Sequence, residues 1–411
     1  MWLLYEIGIR IYSALIWLAG RWNAKARKRA EGGDQLSQNA DRLKKKLAGH
    51  RVVWFHAASL GEFEQARPVM ERWHKEHEEW KIVLTFFSPS GYEIRKDYAL
   101  ADEVLYLPMD TRKAARLFMN TIKPEVAIYV KYEIWANMLR EGKRAGVKSY
   151  LISAYFRESQ LFFKPYGSWY ASLLRYFDEI FVQEKSSKAL LESIGIEHVA
   201  VSGDTRYDRV TKIAQERKEL TIVSAFKGQS KMIVAGSSWG PDEDLLIPYA
   251  AKKGVKLLLA PHEIDEGHLE TIERMVQREG MKSLRYTEAD EAKVKDVDVL
   301  IINNFGMLSS VYYYADVAYV GGGFGVGIHN TLEAAVYGVP VVWGPNYLTF
   351  DEAKKLVAAG GGFSVDGKVT FEETMNGLLA DGEAAGTAAG KFVAEHTGAT
   401  DVIFEELRIK N

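Results

Sequence analysis

The sequence predicts an α/β fold of two doubly wound, Rossmann-like domains that face each other across a cleft. Three observations support this prediction. The chain has 411 residues, enough for two domains of ordinary size. Short apolar segments alternate with amphipathic segments of helical length along nearly the whole chain, as in parallel sheets with crossover helices. Hydrophobic residues make up 47% of the chain, which is sufficient for two buried cores.

Shifts in composition divide the chain into four segments. Residues 1–30 are predicted to form a membrane-associated helix with a basic flank, and residues 31–208 the first Rossmann-like domain. Residues 209–229 are polar with a helical pattern, and we interpret them as a linker. Residues 230–411 are predicted to form the second Rossmann-like domain.

The first twenty residues are mostly apolar and contain four aromatic side chains, with Glu6 and Arg10 as the interruptions. Five basic residues follow: Arg21, Lys25, Arg27, Lys28 and Arg29. A signal peptide carries its positive charge before the apolar segment, so this order argues against one. Aromatic residues with a polybasic flank are typical of a helix in the membrane interface, or of a short anchor that leaves the chain in the cytoplasm. The alternative is a surface helix packed on its own domain.

Composition restricts the class of protein further. The chain has no cysteine, which excludes disulfides and thiolate metal sites and fits a reducing compartment. The net charge is −2, yet the first 51 residues hold eleven basic against four acidic side chains. A basic leader on an acidic body indicates an anionic membrane surface as a partner and argues against nucleic acid.

A glycine-rich stretch from Ala315 to Phe350 carries the clearest sign of a ligand site. An apolar strand ends at Val320, five glycines follow within seven residues, and a helix is predicted to begin at His329. We expect the glycines to let a ligand approach the backbone, and the helix N-terminus to bind an anion. The spacing does not fit the G-x-G-x-x-G dinucleotide fingerprint. The alternative is an ordinary turn between strand and helix.

A second candidate, Glu62, begins a helix directly after the strand that ends at Phe55. The carboxyl ends of parallel strands are where α/β sheets hold their ligands. Because a helix N-terminus lowers a carboxyl pKa, we expect Glu62 to be ionised at neutral pH and able to accept a proton. The alternative is a first-turn acid that only stabilises the helix dipole.

These stretches resemble motifs of the Kdo (3-deoxy-D-manno-octulosonic acid) transferases, GT-B glycosyltransferases that build the inner core of lipopolysaccharide. The family's His-x-x-Ser-x-Gly-Glu motif is matched by His56, Ser59, Gly61 and Glu62. Its Gly-Gly motif is matched by Gly321-Gly322, and its Gly-His-Asn-x-Leu-Glu motif by His329-Asn330-Thr331-Leu332-Glu333, with Ile328 in place of the glycine. Its Pro-Val-Val and Gly-Pro motifs are matched by Pro340-Val341-Val342 and Gly344-Pro345. The resemblance extends over nearly the whole chain and implies the GT-B fold.

The resemblance also implies a function. The donor would be CMP-Kdo, bound by the C-terminal domain, and the acceptor a lipid A precursor, bound by the N-terminal domain at the cytoplasmic face of the inner membrane. Glu62 would remove the proton from an acceptor hydroxyl as that hydroxyl attacks the anomeric carbon. No metal and no cofactor are expected, because a nucleoside monophosphate carries less charge than a diphosphate.

Two positions depart from the family pattern. The family has the motif Glu-Thr-Glu-x-Trp-Pro-Asn, and Lys131 stands in place of its first glutamate. Lys131 could supply positive charge to the leaving group or to the donor carboxylate. Alternatively, Glu133 could take the role of the missing glutamate. Arg206 stands in a lysine position and could bind a phosphate or carboxylate in two contacts. The alternative for Arg206 is an ion pair with Asp204 or Asp208. The predicted catalytic set is Glu62, Lys131, Glu133 and Arg206.

The predicted donor site gathers residues that follow several strands of the second domain. They are Ser237, Ser238, Pro261, His262, Gly306, Met307, Leu308, Gly323, His329, Asn330, Thr331, Leu332 and Glu333. Other hypotheses remain open at this point. They are a UDP-sugar hexosyltransferase, a UDP-sugar 2-epimerase, which would not need the basic leader, and a catalytically inactive sugar-nucleotide binding protein.

Overall fold

The computed structural model describes residues 1–407 and divides the chain into two compact units. The first unit contains Met1–Arg209 and the chain from Gly398 onward, and the second contains Val210–Thr397. Each unit is built around one seven-stranded parallel sheet. The predicted fold class of two doubly wound α/β domains is confirmed.

The sheet of the first unit has the strand order β3-β2-β1-β4-β5-β6-β7. The order reverses at β1, which pairs with β2 on one side and β4 on the other. Its strands are β1 (Val52–Ala57), β2 (Lys81–Phe86), β3 (Glu103–Tyr106), β4 (Val126–Val130), β5 (Lys148–Ala154), β6 (Glu179–Val182) and β7 (Val199–Val201). A crevice between β1 and β4 at their carboxyl ends is therefore the expected ligand site.

Helices cover both faces of this sheet. They are α1 (Trp2–Ala19), α2 (Ala24–Gly32), α3 (Gln35–Leu47), α4 (Leu60–Glu76), α5 (Pro89–Arg95), α6 (Arg112–Ile122), α7 (Ala136–Arg144), α8 (Ser168–Leu173) and α9 (Lys185–Ser193). Successive strand residues point to opposite faces, so Trp54 packs in one core and Val53 and Phe55 in the other. Burial on both faces explains why the strands are almost continuously apolar.

The second unit repeats the arrangement with the strand order β10-β11-β9-β8-β12-β13-β14, which reverses between β8 and β12. Its strands are β8 (Met232–Ser238), β9 (Lys256–Pro261), β10 (Ser283–Arg285), β11 (Val299–Ile301), β12 (Val317–Val320), β13 (Val341–Trp343) and β14 (Gly362–Ser364). Its helices are α11 (Thr221–Lys227), α12 (Gly240–Lys253), α13 (Glu266–Arg278), α14 (Leu308–Val311), α15 (Leu332–Ala335), α16 (Asp351–Ala358), α17 (Lys368–Ala380) and α18 (Glu383–Glu395).

The structure divides the chain differently from the predicted segments at two places. The linker predicted at 209–229 is not extended, since α10 (Thr205–Gln215) spans the division and α11 belongs to the second unit. The second domain was predicted to run to 411, but α19 (Ala399–Leu407) returns to the first unit. Asp208 holds it there, because its carboxylate accepts hydrogen bonds from the backbone N–H groups of Gly398 and Thr400 at 2.6 Å each. Residues 408–411 of the predicted domain lie outside the described residues.

Helix α1 binds its own unit through one face and leaves the other exposed. The Tyr5 hydroxyl donates to Asp110 Oδ2 at 2.6 Å, and Glu6 Oε2 accepts from the backbone N–H of Arg112 at 3.0 Å. The exposed face carries large apolar side chains: Met1, Leu3, Leu4, Ile7, Ile11, Leu15, Trp17 and Leu18. By length and composition alone, α1 is long and apolar enough to cross a membrane. The two predicted roles, surface helix and membrane contact, are therefore compatible.

The predicted polybasic flank is largely used inside the first unit. Arg29 is buried and donates to the Leu107 carbonyl at 2.7 Å. Lys28 forms an ion pair with Glu93 at 3.2 Å, and Arg27 donates to the Gly20 carbonyl at 3.0 Å. The flank therefore offers less positive charge to a membrane than its sequence suggests.

Candidate functional site

The structure brings two predicted catalytic residues to the crevice of the first sheet. Glu62 lies in the first turn of α4 after β1, and Glu133 lies in the turn between β4 and α7. Because β1 and β4 are neighbours in a parallel sheet, both turns lie at the same edge. The two carboxylates are close enough for the Glu133 charge to raise the pKa of Glu62.

Glu133 is held by two donors that sequence reasoning did not include among the site residues. Its Oε2 lies 2.8 Å from His56 Nε2 and accepts from Trp135 Nε1 at 2.7 Å. The Glu133 side chain is only 12% exposed, and His56 is fully buried. A carboxylate with two close partners is fixed in orientation, so Glu133 is positioned against the crevice.

The imidazole of His56 is fixed from its other side by β2. His56 Nδ1 lies 2.9 Å from Thr85 Oγ1, and Trp54 Nε1 donates to the same hydroxyl at 2.8 Å. His56 and Thr85 are register partners in the β1–β2 pair, which sets this contact. A proton on His56 Nε2 satisfies the contact with Glu133, because a carboxylate can only accept.

The expected protonation state of Glu62 was wrong. Burial raises the pKa of Glu62 from 4.5 to about 7, and the nearby Glu133 charge adds to the shift. The backbone N–H of Ala58, which donates to Glu62 Oε2 at 2.5 Å, and the charges of His56 and Lys131 oppose it. The helix N-terminus does not compensate for the loss of water around the carboxylate. Glu62 is therefore close to half protonated at neutral pH, which suits a general base.

Lys131 lies directly after β4 in a left-handed backbone conformation, with φ of +57°. Its N–H still donates to the Ile152 carbonyl of β5 at 2.9 Å. A residue with a Cβ adopts this conformation at a cost of about 1–2 kcal/mol, so surrounding contacts must maintain it. The resulting turn directs Glu133 back toward His56, and the positive charge of Lys131 is close enough to lower the pKa of Glu62.

Arg206 forms the ion pair considered as the alternative to a ligand contact. Its guanidinium Nε donates to Asp204 Oδ2 at 2.9 Å, and its NH2 lies 2.7 Å from the same oxygen. Asp204 is buried, and these contacts keep its pKa below its usual value although burial alone would raise it. Gln65 donates to the other carboxylate oxygen at 3.2 Å. Arg206 is thus a fixed cation in the first unit, and a role in catalysis stays a prediction.

In the second unit, the glycines after β12 pack against backbone and do not simply open space for a ligand. A Cβ on Gly321 would lie 2.3 Å from the Ser237 carbonyl oxygen, and one on Gly323 would lie 2.5 Å from the Gly344 nitrogen. Gly322 has φ of +89° and donates its N–H to Asp242 at 2.9 Å. The expected reason for these glycines was therefore wrong for 321–323, whereas Gly325 does have open space around it.

The helix predicted to begin at His329 is a single turn, α15, that begins at Leu332. A helix of this length has a weak dipole, so the predicted anion site at its N-terminus is not supported. Asn330 instead accepts the Leu332 N–H at 3.1 Å and donates to Glu333 Oε1 at 3.1 Å. Glu333 also accepts from Ser309 at 2.6 Å. These contacts fix the polar side chains that follow β12.

Three aromatic rings lie side by side at the carboxyl edge of this sheet, with Trp239 stacked on His262 and His329 tilted against His262. The His262 ring lies 4.6 Å from the Trp239 ring and 4.6 Å from the His329 ring, measured between centroids. Burial and the neighbouring His262 lower the pKa of His329, so it is neutral at pH 7. Within the described chain, His329 Nε2 and the buried Thr331 hydroxyl have no hydrogen-bond partner. Buried polar atoms of this kind indicate a missing ligand or water.

The other predicted donor residues surround the same edge. Ser237 and Ser238 end β8, Pro261 ends β9, and the segment Gly306–Leu308 follows β11. His262 donates its N–H to the Ser238 carbonyl at 2.9 Å, which ties the ends of β8 and β9 together. Because β9, β8 and β12 are adjacent, these residues and His329 lie around the point where the strand order reverses.

One cluster of potential metal ligands was not predicted. Glu263, Asp265 and His268 place ligand atoms within 4.8 Å of one another. Both ring nitrogens of His268 already have partners, since Nδ1 lies 2.9 Å from the Glu263 carbonyl and Nε2 lies 2.9 Å from Glu243 Oε2. The cluster is therefore explained by contacts within the chain.

His56 belongs to the motif that contains Glu62, and Trp135 stands at the tryptophan of the motif that contains Glu133, but neither was predicted as a site residue. The signal was present, because both stand at motif positions beside predicted catalytic residues. Their role depends on contact with Glu133, which is 77 residues from His56 along the chain. Trp239 carried no motif signal, and its stacking on His262 is visible only in the structure.

Comparison with known proteins defines the class. Residues 30–209 match the family model of 3-deoxy-D-manno-octulosonic-acid transferase (kdotransferase). The 3-deoxy-D-manno-octulosonic acid transferase of Bordetella pertussis is 27% identical over 96% of this chain and 96% of its own. The enzymes of Aquifex aeolicus and Chlamydia trachomatis serovar D are each 28% identical over 80% of this chain, and over 86% and 78% of their own.

Solved structures show the same fold. UDP-GlcNAc 2-epimerase from Neisseria meningitidis, bound to UDP-GlcNAc, has a TM-score of 0.62 at 17% identity and covers 87% of this chain and 99% of its own. The family model and the relatives identify a glycosyltransferase. Residues 30–209 belong to the Kdo transferase family, and the predicted family is therefore confirmed.

The raised pKa of Glu62 predicts a specific pH dependence of stability. A folded-state pKa of about 7, against 4.5 as the reference, means that the folded state favours protonated Glu62. The contribution of protonated Glu62 to the stability of the folded state is present in full below pH 4.5 and is lost as the pH rises through about 7. Glu62→Gln should therefore change stability little at pH 4.5 and stabilise by up to about 3 kcal/mol at pH 8.

Denaturation at the two pH values measures this effect. The control is Glu79→Gln, an exposed glutamate in the loop after α4, which should show no such difference. An equal change in stability at both pH values for Glu62→Gln would contradict the assignment of a raised pKa.

Proposed function

We propose that this protein transfers Kdo from CMP-Kdo to a lipid A precursor in lipopolysaccharide biosynthesis, at the cytoplasmic face of the inner membrane. The family match and the named relatives support this function. The observation that carries it is the partly buried Glu62 carboxylate, with a pKa of about 7, in the crevice of the first unit. The resemblance of the His56-to-Glu62 motif to the family supports Glu62 as the general base.

In the proposed reaction, Glu62 takes the proton from an acceptor hydroxyl while the hydroxyl oxygen bonds to the anomeric carbon of Kdo. The bond from that carbon to the phosphate oxygen of CMP breaks, and CMP leaves with one additional negative charge. Glu133 is held in place by its contacts with His56 and Trp135, and Lys131 lies close enough to act on Glu62 electrostatically. A nucleoside monophosphate carries less charge than a diphosphate, so we propose a metal-independent enzyme.

The donor is proposed to occupy the second unit. The adjacent rings of Trp239, His262 and His329 offer an aromatic surface for a nucleobase or ribose, and the unpaired His329 Nε2 offers a hydrogen bond. Asn330 and Glu333 lie beside it as fixed polar groups. The site residues predicted from the sequence thus remain the proposed donor site.

The pH dependence of the rate tests the proposed base. Since Glu62 must be deprotonated, kcat/KM should rise with pH and level off above about 7. Glu62→Gln should lose about 10²–10⁴-fold in rate. Glu133→Gln removes a repulsive charge and should move the inflection to lower pH, while Lys131→Met removes an attractive charge and should move it to higher pH.

Lys131→Arg keeps the charge and is the matched control for Lys131→Met. If Lys131→Met lowers the plateau of kcat/KM and leaves the pH of its inflection unchanged, the charge of Lys131 acts on the leaving group and not on Glu62. Wild-type turnover in Glu62→Gln would show that the base is another residue.

Isothermal titration tests the donor site. CMP binding should weaken by about tenfold or more in His329→Ala and in Asn330→Ala, and should not change with EDTA. Lys391→Ala, on the exposed surface of α18, is the control. Binding of UDP with no binding of CMP would contradict the proposal and favour a UDP-sugar enzyme.

The exposed face of α1 supports membrane contact. Leu3, Leu4 and Ile7 are 72%, 64% and 45% exposed, and burying side chains of this size in lipid contributes about 1.5–3 kcal/mol each. Replacing all three with serine should reduce binding to anionic vesicles at least about a hundredfold in a flotation assay. The control is Ile94→Ser, which changes an exposed isoleucine on α5. Unchanged flotation of the triple variant would show that α1 does not contact the bilayer.

A further inference from the structure

A cavity lies between α1, α2 and the loop that joins β3 to α6 in the first unit. It has a volume of about 550 Å³. Its walls include Ser13 and Trp17 of α1, Arg29 of α2, Asp34 before α3 and Thr111 before α6. The sequence alone did not predict this cavity, because its residues come from four separate parts of the chain.

Arg29 brings a buried positive charge to this cavity. It is 4% exposed, and its NH2 donates to the Leu107 carbonyl at 2.7 Å. Within the described chain, its Nε and NH1 have no hydrogen-bond partner. Burial lowers the pKa of Arg29 to about 10, and the groups that oppose this shift are Tyr12 and Tyr106 and not a carboxylate. A buried cation is costly unless it is paired and hydrogen-bonded, so these free nitrogens indicate an anionic ligand.

The groups around Arg29 suit the oxygens of a phosphate ester. The Thr111 hydroxyl oxygen accepts from the Ala114 N–H at 3.2 Å, and the hydroxyl can still donate its own hydrogen. The Ser13 hydroxyl lines the same cavity. Hydrogen-bond donors therefore come from α1, α2 and the loop before α6, and a phosphate group has enough oxygens to accept from all of them.

Asp34 adds a negative charge at the exposed edge of the cavity. It stands at the N-cap position of α3, yet its side chain accepts no hydrogen bond from that helix. Its charge is not among those that shift the pKa of Arg29, so the two groups do not neutralise each other. A ligand with a phosphate and an ammonium group matches both charges. A phosphate monoester matches only Arg29 and is repelled by Asp34.

The cavity borders the exposed apolar face of α1. Trp17 lines the cavity and is 61% exposed, and Leu15 and Leu18 beside it are 57% and 39% exposed. The Arg21 guanidinium lies 4.9 Å from the centroid of the Trp17 ring. Tryptophan and arginine next to apolar side chains are typical of the depth at which lipid headgroups lie. A headgroup in the cavity therefore places its acyl chains along α1.

We infer that this cavity binds the headgroup of a glycerophospholipid whose phosphodiester carries an amine, as in phosphatidylethanolamine. The phosphate accepts hydrogen bonds from Arg29, and the ammonium group donates to Asp34. The inference rests on the proposed contact of α1 with a membrane. It goes beyond the proposed function, because the bound lipid is neither the donor nor the acceptor of the reaction.

Arg29 connects the cavity to the turn that carries Glu133. Its guanidinium lies 4.3 Å from the centroid of the Phe87 ring, and Phe87 stacks on Trp135 with 5.0 Å between centroids. Trp135 in turn donates to Glu133 at 2.7 Å. A lipid that pairs with Arg29 stabilises the folded state in which these contacts form, so its binding should raise the thermal midpoint of the protein.

The test titrates the full chain with one phospholipid at a time, in nonionic micelles without CMP-Kdo or acceptor. Phosphatidylethanolamine should bind at least about tenfold tighter than phosphatidylglycerol, which has a phosphodiester and no amine. Asp34→Asn should remove this preference and leave the binding of phosphatidylglycerol no weaker. Asp41→Asn, which changes an exposed aspartate on α3, is the matched control and should keep the preference.

Two further variants test the cavity itself. Arg29→Gln removes the buried charge and should weaken the binding of both lipids at least about tenfold. Ser13→Leu fills the cavity without changing Arg29, should give the same loss, and decides the question if Arg29→Gln does not fold. Ser193→Leu, at the exposed end of α9, is the control for the added side chain.

Three results would overturn the inference. One is equal affinity for the two lipids. Another is binding of free phosphoethanolamine as tight as that of the lipid, which would make the ligand a soluble phosphate ester. The third is a raised acceptor KM in Ser13→Leu, measured without phospholipid, which would assign the cavity to the acceptor. Absence of Kdo transfer would contradict only the proposed function, because the lipid titration uses neither substrate.

Discussion

Burial of two carboxylates in one crevice is the constraint on which the proposed site depends. The carboxylate of Glu133 is held in position there because His56 and Trp135 both contact its Oε2. Glu62 accepts the backbone N–H of Ala58, and burial is the largest influence on its pKa. Two neighbouring carboxylates with different partners can therefore have different roles: Glu133 is fixed by two contacts, and Glu62 can exchange a proton near pH 7.

Backbone strain occurs at the strand ends around both sites. Four non-glycine residues in the described chain have positive φ, and three of them, Lys131, Ser153 and Ser237, lie at or near the carboxyl ends of β4, β5 and β8. Each costs on the order of 1–3 kcal/mol, so the packing of the sheets must maintain it. The carbonyl of Ser237 also faces Gly321 so closely that a Cβ there would clash. Strand-end geometry and the glycine turn are thus parts of one packing arrangement.

The sequence alone predicted the structure correctly where the contacts that determine it are local in the chain. The strand predicted to end at Val320 does end there, as β12, and the position of Glu62 follows from a strand and a turn. The pKa of Glu62 could not be predicted, because it depends on burial and on Glu133, 71 positions away in the sequence. The pairing of Arg206 with Asp204 was foreseen only as an alternative, since a sequence does not rank a neighbouring acid against a ligand.

The placement of α1 is coupled to the site through one buried acid. Asp110 accepts from the Tyr5 hydroxyl of α1 and from the N–H groups of Asn137 and Met138, which begin α7. Burial raises the pKa of Asp110 to about 7, and these donors oppose that shift. The carboxylate is therefore most stable when all three donors are in place. Because α7 follows the turn that carries Glu133, α1 and that turn are positioned by the same group, and α1 is a structural part of the first unit as well as its proposed membrane contact.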